Sequence, residues 1–103
     1  MNDMEYTYKE EEQGIKLKLT GKFTFTDNKA FLSFIEDTIA KNFNTLFIDL
    51  AGVDFIDSAA LGILLLTRDK CANTNIKLIL CSPEGQVKQM FKISKFDRLF
   101  DIR

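Results

Sequence analysis

Two short runs, TLFIDL at residues 45–50 and IKLILC at residues 76–81, constrain this chain most. Each is a nearly continuous stretch of β-friendly apolar residues, the pattern of a strand buried in a parallel sheet. Parallel neighbours need a long crossover, usually a helix. The segment between the two runs supplies one: AALGILLL at residues 59–66 predicts a helix that begins near Asp57 or Ser58. Upstream, residues 4–10 and 15–20 alternate apolar with polar, which reads as two strands with one wet face. The polar stretch ending in Gly14 predicts a hairpin turn between them.

The other elements follow from turn and cap chemistry. After Gly21, the segment KFTFT (residues 22–26) is either the end of the second strand or a loop. Asp27 or Asn28 can cap a helix whose apolar positions Phe31, Phe34, Ile35 and Ile39 keep helical spacing. Gly52 is expected to end the first apolar run, leaving residues 53–56 as a connector. Ser82-Pro83 predicts a third helix with proline at its first position, lined on one side by Val87, Met90, Phe91 and Ser94. Residues 99–102 make a short closing strand or a packed end. The expected class is therefore α/β, one domain over residues 1–103, with a mixed sheet opened by an antiparallel hairpin and then alternating helix and strand. Its crossovers should be right-handed. Its functional edge should be where strand carboxyl ends meet helix starts. That edge gathers residues 21–27, 54–58 and 82–85.

Composition removes several classes of function. The chain of 103 residues has no histidine, which removes Ser-His-Asp and Cys-His nucleophile systems and most catalytic zinc sites. Fourteen basic against 15 acidic residues give a net charge of −1, so no basic footprint for nucleic acid is present. Cys71 and Cys81 match neither zinc spacing nor a CxxC motif, and read as reduced, largely buried thiols of a cytoplasmic protein. The N-terminal residues lack a signal-peptide pattern, and the longest apolar run is too short to span a bilayer, so no direct membrane insertion is expected. There is no Gly-rich phosphate loop, and no cofactor is implied.

One segment of the edge stands out: DFIDSAALG, residues 54–62. A serine beside an aspartate opens an apolar helix directly after a buried strand. One reading is capping, since either side chain can satisfy orphan N–H groups. The other makes Ser58 a phosphoacceptor. A phosphate at a helix start meets unpaired N–H groups and the positive end of the dipole, while a partner meets about two new negative charges. Catalysis by Ser58 is disfavoured, because no histidine or adjacent lysine can take its proton. The apolar residues of the helix point in every direction, so either it is sandwiched or a strip is left for a partner. Asp49 reads as a carboxylate that accepts loop N–H groups. Asp49, Asp54 and Asp57 lack the fixed spacing of a magnesium site. Phe23 and Phe25 would share a face on a strand, as core or as a docking patch.

These residues resemble the STAS domain (sulphate transporter and anti-sigma factor antagonist), in particular its stand-alone bacterial antagonists. LTGKFTF, FIDLAGVDFIDSAALG, IKLILCSPEGQVKQMF and FDRLFDI fall in family order across essentially the whole chain. DSAALG is the specific part, similar to the family's phosphorylation motif. The resemblance implies that Ser58, beside Asp57, is phosphorylated by a serine kinase that often doubles as the anti-sigma factor. A PP2C-type phosphatase would remove the phosphate. The unphosphorylated form would bind the anti-sigma factor and free the sigma factor. Partner contacts are then expected from Asp57, Ser58, Ala59, Leu61, Gly62, Ile63, Leu66, Phe23 and Phe25. Ala60 replaces a common glycine, and Thr24 a common aspartate, which weakens any carry-over of contacts from that loop to a kinase-bound nucleotide. The alternative is a non-switching subunit of a lipid- or anion-transport or stress-signalling complex. A weaker third reading is a nucleotide- or lipid-binding module that uses the apolar edge.

Overall fold

The computed structural model describes residues 4–12 and 14–103. β1 (Glu5–Glu10) and β2 (Gly14–Phe23) form the expected antiparallel hairpin, closed by reciprocal bonds between the backbones of Glu11 and Gly14. The remaining strands β3 (Thr45–Ile56), β4 (Lys77–Cys81) and β5 (Asp101–Ile102) add in parallel, giving one sheet in the order β1-β2-β3-β4-β5. The helices α1 (Asn28–Ala40), α2 (Ser58–Asn73) and α3 (Gly85–Ile93) are the crossovers.

Strand alternation decides which face the helices cover. Ile15, Leu17 and Leu19 of β2 and Leu46, Ile48 and Leu50 of β3 are fully buried, and they share one cluster with Phe31 and Ile35 of α1, Leu64 of α2 and Val87 and Phe91 of α3. Residues of opposite parity face away. Lys16 and Lys18 are exposed, and Phe47 and Asp49 are half-buried. The run at 45–50 is thus buried on one face rather than on both, as its continuous apolarity suggested. On the open face Ile79 of β4, paired with Phe47 of β3, is buried as well.

Two boundaries and one cap differ from expectation. Gly52 does not end β3. The strand continues through residues 53–56 and stays paired with β2 across two register shifts. β3 advances three residues while β2 advances two between the pairs Lys18–Asp49 and Thr20–Gly52, which is a β-bulge. Asp49 serves that bulge, accepting the Ala51 N–H on Oδ1 at 3.0 Å, much as a carboxylate bonded to nearby backbone was expected to. Gly52 is required there for space, because a Cβ would lie 2.8 Å from Thr20 Cγ2. Pro83 does not begin α3. Ser82 takes a left-handed conformation (φ 56°), and the helix starts at Gly85 after Glu84. Asp27 precedes α1, but its side chain turns back to accept the Thr24 N–H at 2.9 Å, closing a 3₁₀ turn over Phe25–Asp27.

Candidate functional site

The extension of β3 positions the DSAALG segment. Its last residues run beyond the end of β4, whose pairing with β3 stops at Asp49–Cys81. One edge of the extension is therefore without a strand neighbour. Gln86 of α3 fills that place: its Oε1 accepts the Ile56 N–H at 2.9 Å and its Nε2 donates to the Ile56 carbonyl at 3.0 Å. One side-chain amide thus takes the part of a strand and fixes the residue immediately before Asp57.

Asp57 then makes the turn. Its backbone is extended (φ −101°, ψ 175°), its Oδ1 accepts the Ala60 N–H at 2.8 Å, and its carbonyl accepts the Leu61 N–H. Its second oxygen accepts the Phe25 N–H at 3.1 Å, and its own N–H reaches the Phe23 carbonyl. Asp57 is therefore the N-cap of α2 and also the tie between that helix and the loop after β2. The two capping alternatives resolve in favour of Asp57. Ser58 is the first helical residue, exposed and outside the cap. Helix geometry leaves the N–H groups of Ser58 and Ala59 without intrahelical acceptors. None of the ion pairs among the described residues involves the first turn of α2.

Ser58 opens an exposed, uncharged stripe of α2. Ser58, Gly62 and Leu66 are spaced by four, so they form one exposed stripe along α2, with Leu66 42% exposed and Ala59 half-buried beside it. A Cβ built on Gly62 meets nothing, so the space around this glycine is open. Phe25, held next to Asp57 by its N–H, is 65% exposed. The helix is thus neither sandwiched nor wholly buried: Ala60, Leu61, Ile63, Leu64 and Thr67 face the core, and the 58–62–66 stripe does not.

Three of the expected contact residues are corrected by this geometry. Phe23 is fully buried, 4.9 Å from the Phe31 ring, and because β2 ends at Phe23 it shares no face with Phe25. Leu61 and Ile63 belong to the core. Their spacing relative to Ser58 places them on the inner side of α2. Phe55 is the converse case. Expected in a connector, it is an exposed aromatic of β3, opposite Lys22 on the open face of the sheet. The signal was the strand pattern continuing past Gly52. Gln86 carried no such signal, because its role arises only from the unequal lengths of β3 and β4. Asp49, Asp54 and Asp57 do not converge, and no cluster fit for a metal ion occurs among the described residues.

A hairpin-opened mixed sheet with three crossover helices, presenting a capped helix start at the carboxyl ends of its strands, defines the class of protein: a single-sheet α/β domain with its candidate site at the strand ends. Comparison with known proteins gives the family. The sequence profile of the STAS domain matches residues 6–103, and the chain belongs to that family. A STAS-domain containing protein of Pseudomonas aeruginosa (strain UCBPP-PA14) is 36% identical over 92 residues, 87% of this chain and 88% of its relative. An anti-sigma factor antagonist from Mycobacterium paratuberculosis superposes with a TM-score of 0.86 at 18% identity, over 97% of this chain and 85% of its own. The anti-sigma factor antagonist SpoIIAA in its unphosphorylated form gives 0.82 at 16% identity, over 96% and 88%. At these identities the two structures share the fold. Among the described residues, no helix is long and apolar enough to cross a membrane.

Proposed function

We propose that this protein is a phosphorylation-controlled binding protein, an anti-sigma factor antagonist that acts by partner switching through Ser58. The observation that carries the reading is the division of labour at the start of α2. Asp57 supplies the cap and the loop tie, leaving the exposed Ser58 hydroxyl without a structural task. A serine with no duty in the fold can gain and lose a phosphate while the scaffold stands. With Ser58 unmodified, the 58–62–66 stripe, Ala59 and Phe25 offer an apolar surface to an anti-sigma factor that is also a serine kinase. Phosphorylated, that surface carries about two extra negative charges at its end. Docking would then bury them against a partner with no compensating bond. A PP2C-type phosphatase restores the binding form.

The test is a calorimetric titration of Ser58→Ala, Ser58→Glu and the phosphoprotein against the cognate kinase. Ser58→Ala should bind like the wild type. Ser58→Glu should bind at least tenfold more weakly, about 1.4 kcal/mol, and the phosphoprotein more weakly still. Equal affinities for all three forms would favour a constitutive subunit of a larger complex.

A further inference from the structure

β1 is an edge strand, and its pattern is complementary to itself. All six of its residues are exposed, and among the described residues it pairs only with β2. Tyr6 and Tyr8 lie on the helix side, with ring centroids 5.3 and 5.5 Å from that of Phe34, and remain 43% and 50% exposed. Glu5, Thr7 and Lys9 lie on the open face by strand alternation. Lys9 stands directly opposite Lys16 of β2, a like-charge pair that destabilises a sheet, and neither Glu5 nor Lys9 has an ion-pair partner among the described residues.

In an antiparallel ladder only residues of one hydrogen-bonding class oppose each other. A strand meeting its own copy across a two-fold axis can therefore centre on a residue but not between two. Three registers bring most of β1 together, centred on Tyr6, Thr7 or Tyr8. Centring on Tyr6 sets Glu5 against Thr7, and centring on Tyr8 sets Thr7 against Lys9 and Tyr6 against Glu10. Centring on Thr7 sets Glu5 against the second copy's Lys9 twice and Tyr6 against the second copy's Tyr8 twice. That register places an acid within reach of the uncompensated Lys9–Lys16 pair and covers both half-exposed tyrosines. A lysine on an edge strand ordinarily discourages pairing. Here Glu5, four residues away, gives it a complement in one register only.

We propose that β1 is a homodimerisation edge, joining two copies into a continuous antiparallel sheet centred on Thr7. α1 packs against both β1 and α2 and stands between this seam and the Ser58 stripe, so dimerisation leaves the stripe open.

Sedimentation of the full chain over a concentration series into the high-micromolar range tests this, with circular dichroism confirming that each variant is folded. The wild type should associate to a dimer. Lys9→Glu and Glu5→Lys should each raise the dimer dissociation constant at least tenfold. An equimolar mixture of the two variants should associate again, because every seam pair is then opposite in charge. In a Cys81→Ser background, oxidation should cross-link Thr7→Cys but neither Tyr6→Cys nor Tyr8→Cys. A monomer throughout, a dimer indifferent to Lys9→Glu, a mixture that stays apart, or cross-linking of another register would each overturn the proposal.

Discussion

Asp57 and Ser58 are adjacent, similar in capping preference and opposite in consequence. Asp57 holds Ala60 of its own helix and Phe25 of a distant loop, so truncating it removes a cap and a tertiary tie together. Asp57→Ala should cost about 2 kcal/mol in denaturant melts, with Ser58→Ala within about 0.5 kcal/mol of wild type. Large unfolding of Ser58→Ala would contradict an exposed switch residue. Gly62 separates folding from binding in another way. Glycine inside a helix is less favourable than alanine by about 0.5–1 kcal/mol, yet nothing around Gly62 demands its small size. Gly62→Ala should therefore stabilise the isolated protein by about that amount. If the stripe is approached closely by a partner, the same substitution should weaken the complex. Parallel melts and titrations of this one variant separate the two effects, and unchanged affinity would remove Gly62 from the interface.

At the scale of elements, the sequence is most readable where periodicity meets packing, and least where two elements differ in length. The hairpin, the parallel strands, the helices and their order all follow from alternation, apolar runs and caps. The apolar run alone marks β3 six residues short, because it stops at Leu50 and Gly52 reads as a break, whereas Gly52 admits a bulge against Thr20. Pro83 suits a first helical turn and so predicts an earlier α3, but the left-handed Ser82 and the extended Glu84 carry the chain onward to Gly85. In the site, Asp57 and Ser58 were legible from a local motif. Gln86 was not, since its partner lies 30 residues away in sequence. Replacing Gln86 by alanine leaves the buried Ile56 N–H and carbonyl without partners, each worth about 1–3 kcal/mol when orphaned and buried. Gln86→Ala should lower stability by at least about 2 kcal/mol. It should also loosen the start of α2, read as faster amide exchange at Asp57 and Ala60. Exchange unchanged at those amides would show that β2 and the cap suffice to hold the turn.

For the whole molecule, the absence of histidine shapes how stability responds to pH. No side chain with an ordinary pKa between about 5 and 8 is present, so stability should be nearly level across that range. The alkaline side differs. Cys71, on the inner face of α2, is buried in the core, and burial pushes its thiol up to about 11. Cys81, at the edge of the open face, is raised as well, by burial first, with Lys16 and Arg103 opposing the rise. A thiol whose pKa is higher in the folded chain holds its proton there after the unfolded chain has released it. The folded state then binds more protons than the unfolded one, and stability falls as pH rises. The contribution is complete below the unfolded thiol's pKa and is lost progressively as pH climbs from about 9 toward 11. For Cys71 the loss amounts to up to about 3 kcal/mol. Urea melts at a series of pH values should show a plateau and then this decline. Cys71→Ala should lower the plateau, because it leaves a small cavity, and should flatten the decline above pH 9. A decline of undiminished steepness in that variant would place the alkaline sensitivity elsewhere in the molecule.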